Sequence, residues 1–240
     1  MREYFELLFR GSREEYLKRL KENLIHEKKT FVVTANPEAF MFGESDPEVH
    51  AILTDPATDV VADGIGIVKG ADMMGIKLPE RIPGVDIAQA LMEMGHEEKK
   101  SIFLLGSKEE VLVAMKKVLE EKYPNLVLAG AINGYVPDKD AAFEEIVAAK
   151  PDIVLVALGI PAQEKLIYRH LAKFEKGIFV GVGGSLDVLS GTKERAPQFF
   201  IKHNLEWAYR IIKEPKRLKR FYNSNVKFIF KVRKEAKKKK

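Results

Sequence analysis

Apolar residues along this chain come in short unbroken runs, each stopped by glycine, serine, asparagine or proline. Thr30-Phe31-Val32-Val33-Thr34, Asp59-Val60-Val61-Ala62 and Ser101-Ile102-Phe103-Leu104-Leu105 are three of them. Leu126-Val127-Leu128-Ala129, Ile153-Val154-Leu155-Val156-Ala157-Leu158 and Gly177-Ile178-Phe179-Val180-Gly181-Val182 are the others. Runs of this length with no polar alternation describe strands buried on both faces. Helical stretches of about 10–15 residues separate them, which predicts repeated βα units. The pattern therefore specifies an α/β fold: a Rossmann-like parallel sheet with helices on both faces.

Local signals place several boundaries. Tyr4 to Phe9 reads as a short edge strand, and Ser12 as the N-cap of a helix reaching about His26. Asn36 followed by Pro37 reads as a cap and first helical residue. Helices are also expected from Gly64 toward Met74, from the turn at Arg81-Ile82-Pro83-Gly84 through about Gly95, from Lys108 to about Lys122, and from Asp140 to Ala149.

In parallel sheets of this kind, ligands bind beyond the carboxyl ends of the strands. Those ends are Thr34-Ala35-Asn36, Asp63-Gly64, Gly106-Ser107, Gly134-Tyr135, Gly159 and Gly183-Gly184-Ser185. Small and polar residues collect there while the strand interiors are Val, Ile and Leu, so one crevice is the expected site. Asp63 ends an apolar run and is followed by Gly64 and Gly66, an arrangement that can hold a base beside a substrate, the glycines leaving room for it. Asp before Gly is also an ordinary turn or capping pair. Backbone amides at Gly106-Ser107 and Gly183-Gly184-Ser185, each at an expected helix start, are candidate phosphate donors.

Composition narrows the classes. Of 240 residues, 46% are hydrophobic and 31% charged, enough for a sizeable core and against global disorder. There is no cysteine, which excludes disulfides, thiolate metal sites and cysteine nucleophiles and suits a reducing cytoplasm. The first residues, Met1-Arg2-Glu3-Tyr4-Phe5-Glu6, are too charged for a signal peptide. No apolar run approaches the ~20 residues that span a bilayer.

The net charge of +5 hides a division. Residues 195–240 hold 16 Lys/Arg against three acids, a net of +13, whereas the preceding 194 residues hold 24 against 32, a net of −8. The chain thus divides into an α/β core over 1–194 and a basic, amphipathic helical appendage over 195–240, whose removal is expected to leave a folded core. Arg210, Lys213, Arg217 and Arg220 are spaced three, four and three, one face if a helix continues through Pro215, which can either break it or open a new helix. Aromatic residues interleave with these cations, as an interfacial helix on an anionic membrane surface requires. A nucleic-acid-binding module using the same charge is the rival reading, and it leaves the strand-end cluster unused.

Other chemistries fit less well. Gly64, Gly66 and Gly70 have the spacing G-x-G-x-x-x-G, not the dinucleotide fingerprint, and no acid follows at a strand end. There is no phosphate-binding P-loop motif, and the five histidines have no paired ligand spacing, so no metal or cofactor is expected. Asp138-Lys139-Asp140 has a metal-binding pattern but sits where acids cap a helix.

The order of short motifs is more specific than any one of them. Thr34-Ala35-Asn36-Pro37-Glu38, Ala62-Asp63-Gly64-Ile65-Gly66, Glu80-Arg81-Ile82-Pro83-Gly84 and Leu104-Leu105-Gly106 are followed by Gly134-Tyr135 and by Ala157-Leu158-Gly159 with Gln163-Glu164-Lys165. Gly181-Val182-Gly183-Gly184-Ser185-Leu186-Asp187, Arg195-Ala196-Pro197 and Leu205-Glu206-Trp207-Ala208-Tyr209-Arg210 with Glu214-Pro215 complete the series. Over about residues 30–220 the chain resembles the WecG/TagA/CpsF glycosyltransferases (glycosyltransferase family 26).

The resemblance implies transfer of an N-acetylmannosamine-type sugar from a UDP donor to undecaprenyl-diphosphate-linked N-acetylglucosamine, in cell-surface polysaccharide or teichoic acid synthesis. It implies inversion and no metal. Asp63 is then the general base, with Thr34 and Asn36 beside it, and Arg81 and Gln163 belong to the substrate pocket. Gly106, Tyr135, Gly184 and Ser185, at the other strand ends, complete the expected substrate-binding set. Arg210, Arg217 and Arg220 match arginines of an appendage that closes over the site and meets the inner face of the cell membrane. Self-association is left open, as is another UDP-sugar as donor. Ala162, Leu166 and Val136 depart from the family pattern, which bears on sugar and acceptor specificity more than on reaction type.

Overall fold

The computed structural model describes residues 1–237, apart from the side chains of Arg217 and Arg220. Six strands form one parallel sheet: β1 (Thr30–Ala35), β2 (Thr58–Ala62), β3 (Ser101–Gly106), β4 (Val127–Ile132), β5 (Ile153–Ala157) and β6 (Ile178–Gly181), in the order β2-β1-β6-β5-β3-β4. Alternate residues of each strand face opposite layers, as the period of two demands. Phe31, Val33, Val60, Phe103, Val154, Val156 and Phe179 enter one core; Val32, Val61, Ile102, Leu104, Ile153, Leu155 and Val180 enter the other.

The helices divide accordingly. On the first face lie α1 (Arg2–Glu6), α3 (Pro37–Gly43), α4 (Pro47–Thr54), α5 (Ile65–Met73), α8 (Lys139–Ala149) and α9 (Ala162–His170). On the second lie α2 (Arg13–Ile25), α6 (Gly84–Glu97), α7 (Glu109–Lys122) and the short α10 (Ser185–Leu189). Capping follows the sequence signals: Ser12 and Glu15 form a capping box at α2, and Asn36 and Asp46 accept amide protons at the starts of α3 and α4. Asp138 caps α8 and Asp140 contacts His170 at 2.8 Å and Arg169 at 3.3 Å, so both carboxylates of that pair have structural partners.

One element departs from expectation. The segment Tyr4 to Phe9, expected as an edge strand, is instead helix α1 followed by a single bridge from Leu8 to Val60. Met1, Tyr4 and Phe5 all face the core, a 1-4-5 spacing that one helical turn satisfies and an alternating strand does not.

The basic segment continues as α11 (Gln198–Lys202), α12 (Glu206–Lys213), α13 (Arg217–Phe221), a π-helical turn over Tyr222–Val226, and α14 (Lys227–Lys237). Its last helix is part of the body. Phe228 and Val232 are wholly buried in the first-face core, and the Phe228 ring lies 6.1 Å from Phe5 and 6.2 Å from Phe40. Lys231 pairs with Glu44, which also binds the Met1 amine at 2.6 Å. Removing residues 195–240 would therefore take large side chains out of the core, contrary to the expectation of an intact remainder. Among the described residues, no helix is long and apolar enough to cross a membrane.

Candidate active site

The register of the first two strands sets the site. Ala62 pairs with Ala35, and the Asp63 amide continues the ladder by donating to the Ala35 carbonyl at 2.9 Å. Following Ala62, which faces the first core, Asp63 turns its side chain to the second face, where α6 begins. There the Gly84 amide donates to Asp63 Oδ1 at 3.2 Å. The loop that delivers α6 is tied to the same strand end, since the Ile82 amide donates to the Ala62 carbonyl at 2.6 Å.

Thr34 shares this corner. Its hydroxyl donates to the Gly181 carbonyl at 3.1 Å, and a Cβ at position 84 would stand 3.2 Å from that oxygen, so Gly84 is the residue that lets α6 start against Thr34. Gly66 has a similar explanation: a Cβ there would meet Pro37 Cγ at 2.8 Å. Its missing side chain admits Pro37 rather than opening room for a sugar. Gly70, third in the spacing that resembled a cofactor fingerprint, admits the rings of Phe5 and Phe228, which a Cβ would approach to 2.9 and 3.1 Å.

Burial pushes the Asp63 carboxyl up to about 6, against the pull of Arg210, the Gly84 amide and Arg81, and with a push from Glu206. A carboxylate so placed is a stronger base than a solvated one and is still largely ionised near neutrality. Arg81 and Arg210 both contribute field at Asp63. Arg81 Nε donates to Asn204 Oδ1 at 3.0 Å and its Nη2 meets Glu206 Oε2 at 2.6 Å, so a residue of the body is gripped by the basic segment. Sequence reasoning missed Asn204 and Glu206. Glu206 had entered as one of three acids among many cations and as part of the Leu205-Glu206-Trp207 motif, with no role of its own, although an acid kept within so basic a run was itself a signal.

The remaining candidates fall along the row of strand ends. Asn36 Oδ1 accepts from the Ala39 amide at 3.0 Å, leaving its Nδ2 as the group able to donate elsewhere. Gln163 is buried: its Oε1 takes the amides of Gly159 and Gly183, each at 3.0 Å, and its Nε2 donates to Glu164 Oε1 at 2.7 Å. It ties together the turns after β5 and β6, and Gly181 is small because a Cβ there would lie 2.5 Å from its amide nitrogen. Several of the amides expected to hold phosphate are already committed. The Ser107 amide donates to Ala157, the Gly183 amide to Gln163 and the Ser185 amide to Val182. Gly106, at φ +116, is required by the close passage of the Ala157 carbonyl. The Gly184 amide has no acceptor among the described residues. Tyr135 is 73% exposed at the end of β4, the sheet edge opposite β2. The turn that carries it leans back over the end of β3, where the Gly134 amide donates to the Ser107 carbonyl at 2.8 Å. The side chains of Arg217 and Arg220 lie outside the described residues.

The sequence model of the Glycosyl transferase WecG/TagA/CpsF family matches residues 5–240. A protein of Bacillus subtilis (strain 168) named N-acetylglucosaminyldiphosphoundecaprenol N-acetyl-beta-D-mannosaminyltransferase is 40% identical over 224 residues, 92% of this chain and 86% of that one. A Staphylococcus aureus (strain MW2) protein of the same name is 36% identical over 209 residues, 87% of this chain and 81% of that one.

Proposed function

The chain belongs to the WecG/TagA/CpsF glycosyltransferase family, and from that premise we propose that it moves an N-acetylmannosamine-type sugar from a UDP donor to GlcNAc-diphosphoundecaprenol, as a step in teichoic acid or related cell-surface polymer synthesis. The observation that carries the reading is Asp63: a carboxylate with a raised proton affinity, held by a helix-start amide, with the cations Arg81 and Arg210 close enough to act on it.

The reaction is an inverting displacement. The acceptor hydroxyl attacks the anomeric carbon opposite the departing UDP; its C–O bond forms as the bond from that carbon to the phosphate oxygen breaks. The hydroxyl proton passes to Asp63, and the electron pair of the broken bond leaves with UDP. Base catalysis of this kind is worth about 10²–10⁴-fold. The charge gathered on the leaving diphosphate is met by arginine guanidiniums, which stay ionised and bind phosphate oxygens in a fork. No metal enters this scheme. Thr34 and Gln163 support it by fixing the strand-end turns around Asp63.

The protein works at the cytoplasmic face of a membrane, held peripherally. Phe199, Ile212, Leu218 and Tyr222 are exposed large apolar side chains of the basic segment, and a lipid-linked acceptor explains why that segment combines them with cations. The test is transfer from a panel of UDP-sugars to a polyprenyl-diphosphate-GlcNAc acceptor in vesicles. Transfer of N-acetylmannosamine at a rate well above the other sugars is the expected result; another preferred sugar would move the donor assignment, and no transfer from any would remove the function.

A further inference from the structure

An arginine side chain is long and rotatable, and holding it ready for an anion costs entropy unless other groups fix it beforehand. Arg81 is fixed here on one edge. Its Nε donates to Asn204 Oδ1 at 3.0 Å and its Nη2 reaches Glu206 Oε2 at 2.6 Å, with the Arg81 and Glu206 side chains only 17% and 12% exposed. Both partners lie more than a hundred residues along the chain, at the start of α12. Asn204 holds a left-handed backbone, φ +57, which asparagine tolerates better than most residues. Among the described residues nothing accepts from Arg81 Nη1, so the opposite edge of the fork keeps its donors.

Glu206 is in turn anchored. Its Oε1 lies 3.9 Å from Arg195 Nε, Arg195 Nη2 reaches Asp86 Oδ1 at 2.7 Å, and Asp86 Oδ2 meets Arg13 Nη1 at 3.0 Å. Asp86 stands in the first turn of α6, the helix whose first amide holds Asp63. A row of alternating charges, Arg13, Asp86, Arg195, Glu206 and Arg81, thus runs from the helix beside the base to the arginine beside the base.

Resting on the transferase reading above, we infer that Glu206, with Asn204, is a positioning residue for the transfer: it orients the Arg81 guanidinium beside Asp63, so the basic segment completes the site through a residue of the body as well as through its own Arg210. Two adjacent donors held by two acceptors set the plane of the guanidinium, and the remaining fork presents to the leaving diphosphate without a search. A carboxylate this close to Arg81 could in principle mask it instead. The two arrangements predict opposite signs. A mask, once removed, raises activity; a positioning residue, once removed, lowers it.

The experiment uses the full chain with Glu206→Ala, Glu206→Gln and Arg81→Lys, assayed on vesicle-borne acceptor, with thermal midpoints recorded for each. Glu206→Ala should lower kcat tenfold or more, Glu206→Gln less because it keeps an oxygen acceptor, and the double variant Glu206→Ala/Arg81→Lys should be no worse than Arg81→Lys alone. A purely structural role would give additive losses tracking the thermal midpoints. Independently of turnover, the Arg81 Nε–H resonance in nitrogen-15 spectra, assigned by its loss in Arg81→Lys, should be sharp in the unsubstituted chain and broadened or absent in Glu206→Ala. Unchanged or higher activity in Glu206→Ala, additive losses in the double variant, or an unchanged Nε–H resonance each overturn the inference. If the unsubstituted chain transfers no sugar, the functional reading is what fails, while the resonance still decides whether Glu206 holds Arg81.

Discussion

At the scale of single residues, the proposed chemistry rests on how Asp63 is held. Asp63→Asn keeps the shape and removes the proposed base, so turnover should fall a hundredfold or more, measured as transfer under saturating substrates. In the unsubstituted chain, turnover should decline as pH falls through about 6, where Asp63 takes up its proton. Stability should move the other way. The folded state binds this proton more readily than the unfolded chain does, so the ionised carboxylate destabilises the fold above pH 6, and that cost fades as pH falls toward the ordinary aspartate value. Asp63→Asn should thus melt a few degrees higher than the parent at pH 7.5, on the order expected for a buried charge removed, and show no gain near pH 4. A variant that lost activity and stability together at pH 7.5 would point to a structural role. The place of Asp63 at a strand end was legible from the sequence because it closes an apolar run at a glycine turn, whereas its bond from the Gly84 amide was not. Gln163 was visible as a polar residue near a strand end, but its bridging of Gly159 to Gly183 was not, since Gly183 lies twenty residues on, beyond any local pattern. Glu206 was hidden for the same reason: its partner Arg81 is brought to it only by the tertiary fold.

At the scale of elements, the strands were the most legible part, because all but β4 are almost wholly buried and carry short runs of apolar residues. β4 was placed too early, over Leu126–Ala129 rather than Val127–Ile132, because it is an edge strand whose residues stay partly exposed and whose glycine and alanines carry little signal. α1 was misread as a strand because five residues are too few to display a helical period. The last helix is the larger lesson. Its Lys-rich composition reads as solvated tail or membrane anchor, while two of its apolar positions belong to the core. Phe228→Ala should cost about 3–5 kcal/mol, the range for truncating a buried phenylalanine, read from denaturant unfolding. A loss under 1 kcal/mol would mean that α14 detaches readily from the body. Phe230, 66% exposed on the same helix, supplies the control and should move stability little.

On the scale of the whole molecule, positive charge is gathered in one segment, +13 over residues 195–240 against −8 over the rest, and that segment also exposes Phe199, Trp207, Ile212 and Leu218. Association with vesicles rich in anionic lipid should therefore weaken steeply as salt rises, since screening shortens the reach of these cations. Ile212→Glu and Phe199→Glu, at positions 69% and 63% exposed, should weaken it further without lowering the melting temperature. Co-sedimentation with vesicles at two salt concentrations checks both; salt-independent binding, or affinity for oligonucleotides equal to that for vesicles, would count against a membrane role. The meeting of Phe5 and Phe40 with Phe228 has a further consequence, for synthesis. A nascent chain releases the first two rings early and the third almost two hundred residues later, so it carries an uncovered apolar face for most of its translation. Any product that stops short of residues 228–232 keeps that face open and becomes a substrate for aggregation and proteolytic clearance.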